Sequence, residues 1–369
     1  MRIIYDLRTL EPRMHGMARY GLELLRAMLA EAGDEVAFGV LVRDRASTAR
    51  LPKDPRVLAM VFGYAPYGLM SQLLLPKVLQ SLNAGLYHCT FYAPPARFDG
   101  PMLTTVHDLI HLRFPADHGA RHRLFYRWVA GPAARKSQAV FTVSQHSKRD
   151  IVELLGVEPR RVVVTPNAAG EAFRPLAAAE RAAAAAGLGL PPAYVLGVGN
   201  PKPHKNLAAL VQAHAILRAA PDGPGRTPPL VLVGVAPGQL KGVEPSEHLR
   251  LLPHLDDAGL AVAYAAATAV VIPSLYEGFG LPALEALACG APLVASDRAS
   301  LPEVVGKAAL LAEPQPQALA EALGRLLADA DLRARLAAAG PAQASRFTWA
   351  ESARSVLKVY HRVLEAPRT

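Results

Sequence analysis

Short apolar runs separated by stretches of helical composition recur along the whole chain, and this alternation restricts the fold more than any other feature. In the first half the runs are residues 2–5, 36–42, 57–62, 102–106 and 139–143; in the second they are 162–165, 194–198, 230–233, 270–272 and 292–295. Continuously apolar runs suit strands covered on both faces, and the helical stretches between them suit the crossovers of a parallel sheet. The pattern predicts an α/β fold of two doubly wound, Rossmann-like domains. With 369 residues and 51% hydrophobic content, the chain is long enough to bury two cores.

The expected boundaries are 1–168 for the first domain and 169–348 for the second, with a C-terminal helix over about 349–369 packing back onto the first. A hinge is expected over 166–175. The alanine-rich stretch 177–187 reads as helix, because alanine is the best helix former. Residues 221–229, rich in proline and glycine, read as an exposed loop. The longest apolar run, 258–272, falls short of the roughly 18 residues that span a bilayer and reads as a buried helix followed by a strand. Only Cys89 and Cys289 are present, and no signal-peptide core opens the chain, so a cytoplasmic protein without disulfides is expected.

Residues 273–290 read PSLYEGFGLPALEALACG, a strand end followed by Glu277, then Gly278-Phe279-Gly280, then a helix start at Pro282 with Glu285 about one turn into the helix. Glycines at a strand-to-helix turn let the backbone approach a ligand, and the helix N-terminus aims unsatisfied N–H groups at an anion. A phosphate fits there. Glu285 would repel it, so this carboxylate is better suited to accepting hydrogen bonds from vicinal hydroxyls such as a ribose diol. The combination implies a nucleotide-sugar ligand.

The run 197–206, GVGNPKPHKN, opens the second half's first full βα unit. It looks superficially like a dinucleotide fingerprint, but the third glycine is missing and Pro201, Lys202, Pro203 and Lys205 stand where it should be, so hydride transfer is disfavoured. Lysines at a helix N-terminus suit a diphosphate clamp. In the first half, His107 and Asp108 follow an apolar strand, at the edge where open α/β sheets bind ligands. Such a histidine can hydrogen-bond a phosphate or sugar hydroxyl, or share a proton with the neighbouring acid, though a purely structural hydrogen bond fits the same pattern. Gly16, before a helix, is a candidate close approach of backbone to ligand, and Ser144 is either a ligand contact or a helix cap. No His/Asp/Glu spacing insists on a metal, and no metal or cofactor is expected.

Together these segments resemble the family 4 retaining glycosyltransferases of the GT-B fold, particularly bacterial members that build surface polysaccharides. The likeness covers nearly the whole chain and rests on SLYEGFGLPALEALACGAPLVASDRASLPEVVG from Ser274, GVGNPKPHKN from Gly197, TVHDLIHLRFP from Thr105 and VSQHSKRDIVELLGV from Val143. The resemblance implies two domains facing a central cleft, with the donor bound by the second and the acceptor by the first. By it, Lys205 holds the donor diphosphate, Glu285 the ribose, and Glu277 with the amides of Gly278, Phe279, Gly280 and Leu281 the transferred sugar and phosphate, while His107 faces the sugar. Many relatives carry an arginine where this chain has Asn200, and Lys202 is the preferred substitute charge. At 167–169 the chain reads Asn-Ala-Ala where relatives often have Asn-Gly-Val-Asp. The implied reaction is metal-independent hexosyl transfer from GDP-mannose or a UDP-hexose to a glycan or lipid-linked acceptor. A GT-B sugar phosphorylase or a nucleotide-sugar epimerase is the alternative.

The net charge of +9 is concentrated in the first half, where 22 basic residues over 1–165 stand against 14 acidic ones. Between Arg113 and Arg149, eight basic residues face one acid, Asp117. Phe125, Tyr126 and Trp128 are interleaved with Arg121, Arg123 and Arg127, and 64–82 adds Tyr67, Leu69, Met70 and Leu73 to Leu75. An anionic membrane surface is the expected partner of this window, with the enzyme peripheral to it. Nucleic acid is not expected, because no binding module accompanies the charge.

Overall fold

The computed structural model describes residues 2–11, 16–115, 119–221 and 223–366, apart from the side chains of Arg2, Ala120, Arg121, His122 and Pro224. Asp117 and the side chain of Arg121, both in the basic window, lie outside the described residues, as do 12–15 before Gly16 and the end of the C-terminal segment, 367–369. The chain divides into two compact units, Met1–Asn167 with Thr348–Thr369, and Ala168–Phe347.

In the first unit the described residues form a seven-stranded parallel sheet. Its strands are β1 (Arg2–Asp6), β2 (Ala37–Val42), β3 (Val57–Val61), β4 (Leu86–Cys89), β5 (Met102–Thr105), β6 (Ala139–Thr142) and β7 (Val162–Val164), in the order β3-β2-β1-β4-β5-β6-β7. Ile4 of β1 pairs with Gly39 on one side and Tyr87 on the other, and all three strands are flanked by neighbours on both sides. Central strands are buried on both faces, whereas Leu58 and Val61 on the edge strand β3 are exposed. The C-terminal helix Trp349–Glu365, capped by Thr348, packs against Gly16–Glu31 and buries Val356, Leu357 and Tyr360. Ser352 Oγ donates to the carbonyl of Pro166 at 2.7 Å, fastening this helix beside the point where the chain leaves the unit.

The second unit holds a six-stranded parallel sheet of β8 (Val195–Val198), β9 (Leu230–Val233), β10 (Leu249–Leu252), β11 (Ala269–Ile272), β12 (Leu293–Ser296) and β13 (Leu310–Ala312), in the order β10-β9-β8-β11-β12-β13. Val195, Leu210, Leu232, Val271, Val294 and Leu323 belong to its core. The alanine-rich stretch is the helix Ala178–Gly187, and the long apolar run resolves into the helix Asp257–Ala266 followed by β11. No helix of the described residues is long and apolar enough to cross a membrane.

Three expectations need correction. The run 162–165, read as the head of the second sheet, is β7 on the edge of the first, where Val162 pairs with Val140 and Thr165 N–H donates to Thr142 O at 2.7 Å. The stretch 221–229 is not simply an exposed loop: it contains the helical turn Gly223–Arg226, and Thr227 is buried. Of the apolar residues expected to reach a bilayer, Leu75 is buried and Leu74 packs against the core.

Both sheets reverse strand order beside their first strand, at β1/β4 and at β8/β11. In open α/β sheets the loops leaving the carboxyl ends of strands at such a switch point form the ligand crevice.

Candidate active site

At the second switch point, the loop leaving β8 carries Lys205 and the loop leaving β11 carries Glu277. The two loops are fastened together by backbone and side chain. Leu275 N–H donates to His204 O at 2.8 Å. The Asn206 side-chain amide donates to the carbonyls of Pro273 at 3.0 Å and Pro314 at 2.8 Å. Asn206 adopts a φ of 55°, a left-handed conformation that asparagine tolerates better than most residues. This frame places Lys205 Nζ 2.7 and 2.9 Å from the two Glu277 carboxylate oxygens. Ser274 Oγ donates to Glu277 Oε1 at 2.7 Å, so both oxygens of a carboxylate that is only 9% exposed accept hydrogen bonds.

Beyond Glu277 the chain turns into the helix Leu281–Ala288 through Gly280 at φ 100°. A Cβ there would stand 2.7 Å from Leu301 Cδ2, so the turn needs glycine for both conformation and space. The Ser300 hydroxyl lies 2.9 and 2.7 Å from the carbonyls of Glu277 and Phe279 and braces the turn by donating to them. The Phe279 ring is buried edge-on to Phe347, so its side chain is committed to packing. Pro282 follows at the helix start, where its missing N–H has no cost. Glu285, one turn in and nearly buried, accepts a long hydrogen bond of 3.4 Å from Tyr264 OH. Burial, and then the Glu285 charge, push the Tyr264 hydroxyl well above the usual tyrosine range, so it remains a donor.

Lys202 and Asn200 are exposed on the first loop, with Lys202 N–H donating to Asn200 Oδ1 at 3.3 Å. The structure therefore brings Lys205, Glu277, Glu285 and the helix start together in one unit.

The remaining candidates lie in the other unit. His107 follows β5, half-buried, with Nε2 2.9 Å from the carbonyl of Thr90. A carbonyl only accepts, which assigns the proton to Nε2. The Tyr20 ring meets the imidazole edge to face, with centroids 4.8 Å apart at 89°. Asp108 Oδ1 accepts from Ile110 N–H at 3.1 Å, engaging it locally. Gly16 is the exposed first residue of the helix Gly16–Glu31, with open space where a Cβ would stand. Ser144 is fully buried as the cap of the helix Gln145–Leu155, accepting from Ser147 N–H at 3.0 Å, and capping accounts for it.

Sequence reasoning missed Ser274, Ser300, Asn206, Tyr264 and Tyr20. Ser300, Asn206, Tyr264 and Tyr20 act through tertiary hydrogen bonds or ring contacts, whereas Ser274 bonds locally to Glu277, three residues on, the one case with a hint in the sequence. Among the described residues no group of three or more His, Cys, Asp or Glu side chains is arranged to hold a metal ion.

Residues 14–169 match the model of Glycosyltransferase Family 4, and residues 180–343 match that of Glycosyl transferases group 1. The D-inositol 3-phosphate glycosyltransferase of Jonesia denitrificans is 30% identical over 397 residues, covering 94% of this chain and 91% of that protein. The chain belongs to the family 4 glycosyltransferases. This glycosyltransferase is also 29% identical over 387 residues to O-antigen chain mannosyltransferase B of Escherichia coli, covering 98% of one and 99% of the other. Its fold is shared with Anabaena HepE, solved in complex with UDP and glucose, at a TM-score of 0.76 and 20% identity over 98% of this chain and 100% of that one. Two parallel sheets of this kind make the enzyme a GT-B glycosyltransferase.

Proposed function

We propose that this glycosyltransferase moves a hexose from a nucleotide-sugar, of the GDP-mannose or UDP-hexose type, to a glycan or lipid-linked acceptor with retention of anomeric configuration and without a metal ion. The observation that carries the reading is the Lys205–Glu277 pair beside the Gly280 helix start. An ammonium has three N–H bonds, and Glu277 engages at most two. The third suits a diphosphate oxygen, and the first N–H groups of the following helix suit the same anion. Lysine and helix terminus then supply the positive charge that a leaving nucleoside diphosphate requires. Glu285 accepts the ribose hydroxyls. The acceptor binds in the first unit, at the sheet edge where Gly16 and His107 stand.

In the step itself, the bond between the sugar's anomeric carbon and the phosphate oxygen breaks, and the bond to the acceptor oxygen forms on the same face. The acceptor's proton passes to the leaving phosphate oxygen. No second carboxylate nucleophile about 5 Å from a carboxylic acid is needed, as a retaining hydrolase would require. The mannosyltransferase of E. coli and the UDP and glucose bound to HepE support the two donor classes named.

A nucleotide-release screen across GDP-mannose, UDP-glucose and related donors, with a glycan or lipid-linked acceptor and with chelator present, tests the proposal. One donor should turn over undiminished by chelator, and NMR of the product's anomeric proton should show the donor's configuration. Inversion, or activity that chelator abolishes and one divalent ion restores, would overturn it.

A further inference from the structure

The basic window of the first unit is not a uniform charged face. Arg113 pairs with Asp150 and Glu153, and Lys136 pairs with Asp99. Three other arginines, Arg123, Arg127 and Arg135, line a cavity of about 290 Å³ together with Leu112, Tyr126 and Leu155. Among the described residues lining it there is no carboxylate.

The backbone explains the convergence. Between the helical segments Ala120–Phe125 and Gly131–Lys136, residues Tyr126–Ala130 form one π-helical turn, closed by Gly131 N–H donating to Tyr126 O. Two turns of α-helix take about 7.2 residues. The wide turn absorbs the excess in the step from Arg127 to Arg135, so the two arginines fall on one face with Arg123. Such turns are frequent at functional sites. A Cβ at Gly131 would stand 2.8 Å from Tyr126 O, so glycine permits the tight closure. Two of the guanidinium groups are held in place: Arg127 lies over the Trp128 ring at 5.2 Å, and Arg135 Nη1 donates to Leu155 O at 2.8 Å. Like charges gathered around one cavity repel, and an anion with several oxygens relieves this by engaging the planar forks.

Apolar surface adjoins the cavity. Leu124 is 55% and Trp128 66% exposed. Tyr126 stacks on Tyr92 at 5.1 Å and Tyr92 on Tyr67 at 5.0 Å, a ladder leading to exposed Leu69, Met70 and Leu73 on the helix Leu69–Ser81.

We propose that the arginine cavity binds a phosphate or diphosphate group and takes it from the headgroup of a membrane lipid, with Leu124 and Trp128 entering the interfacial layer. Headgroup charge and apolar insertion reinforce one another, as in peripheral proteins that use both signals. The site is separate from the donor loops and does not depend on their assignment.

The chain has two tryptophans. Trp349 Nε1 is a buried donor without a hydrogen-bond partner, so Trp349→Phe is a mild change that leaves Trp128 as the reporter. In that background, Trp128 emission is followed during titration with inorganic pyrophosphate, with phosphatidylglycerol vesicles and with phosphatidylcholine vesicles. Pyrophosphate and phosphatidylglycerol should give saturable changes, with a blue shift for the vesicles and a weaker response to phosphatidylcholine. Arg123→Gln with Arg127→Gln should weaken both responses about tenfold or more, and Lys205→Ala should leave them unchanged. A response to pyrophosphate but not to vesicles would overturn the lipid source. No response to either, or a pyrophosphate response lost with Lys205→Ala and kept without the arginines, would overturn the site.

Discussion

Lys205 and Glu277 are each other's nearest opposite charge, at 2.7 Å, and each is mostly out of water, so neither can be removed without leaving the other exposed to a desolvation cost. Lys205→Ala should weaken binding of UDP or GDP by about 1.5–3 kcal/mol, roughly 10- to 150-fold, the range for a hydrogen bond to a charged group. Calorimetric titration of the folded variant checks this, and unchanged affinity would remove Lys205 from the donor site. Glu277→Gln keeps the shape and the Ser274 contact while losing the charge, and should lower turnover more than nucleotide affinity. Tyr20 is a second residue whose role lies in its neighbours. Its ring supports His107 and its hydroxyl lies 2.8 Å from Thr165 Oγ1. Tyr20→Phe keeps the ring and should lose about 1 kcal/mol of stability with near-normal turnover. Tyr20→Leu should lower kcat about tenfold with nucleotide affinity unchanged. Equal kcat in the two variants would reduce Tyr20 to packing. The sequence made each charged residue legible as chemistry because lysine loops and Glu-Gly turns have local meaning. It did not show that Lys205 and Glu277 would pair across 72 positions, because nothing local encodes a tertiary partner.

Among the elements, long apolar runs such as β2 and β9 were legible, while β4, β10 and β13 were not. β4 reads LYHC, with a histidine in its centre; β10 reads LRLL on a sheet edge; and β13 is three residues long. Polar or short strands give too little pattern to distinguish them from loops. β7 was found as a strand and assigned to the wrong sheet, because an apolar run does not say which neighbour it will pair with. The histidine that obscured β4 has a definite function in the packing. His88 is fully buried, with Nδ1 2.5 Å from Tyr360 OH of the C-terminal helix and Nε2 2.9 Å from Thr105 Oγ1 of β5. Burial, with a smaller contribution from His107, lowers its pKa from 6.5 to about 3. Between these values the unfolded chain holds a proton that the folded protein refuses, so His88 makes stability fall as pH drops through that window, by at most about 1.4 kcal/mol per pH unit. Urea midpoints measured from pH 7 down to pH 4 should therefore decline more steeply for the wild type than for His88→Gln, even though the variant is less stable at neutral pH. Parallel declines would mean that this imidazole is not what titrates.

At the scale of the whole molecule, the chain builds the second unit from one continuous segment, Ala168–Phe347, and completes the first with residues from its far end. The C-terminal helix buries Val356, Leu357 and Tyr360 against the first unit, and Ser352 bonds back to Pro166. Lys205, Glu277 and Glu285 all lie within the continuous unit. A nucleotide held by them should stabilise that unit by about 2.7 kcal/mol at a concentration one hundred times its Kd, since it binds only the folded form. Deleting 348–369 should instead act on the first unit, exposing the face of the helix Gly16–Glu31 and removing Tyr360, one of the two hydrogen-bond partners of His88. Scanning calorimetry separates the two effects. We expect UDP or GDP to raise one component of the unfolding transition and the deletion to lower the other, with the nucleotide response still present in the deleted protein. If the deleted protein no longer responds to any nucleotide while its second unit remains folded, the donor site cannot be confined to Ala168–Phe347, and the assignment of Lys205, Glu277 and Glu285 as sufficient for nucleotide binding fails.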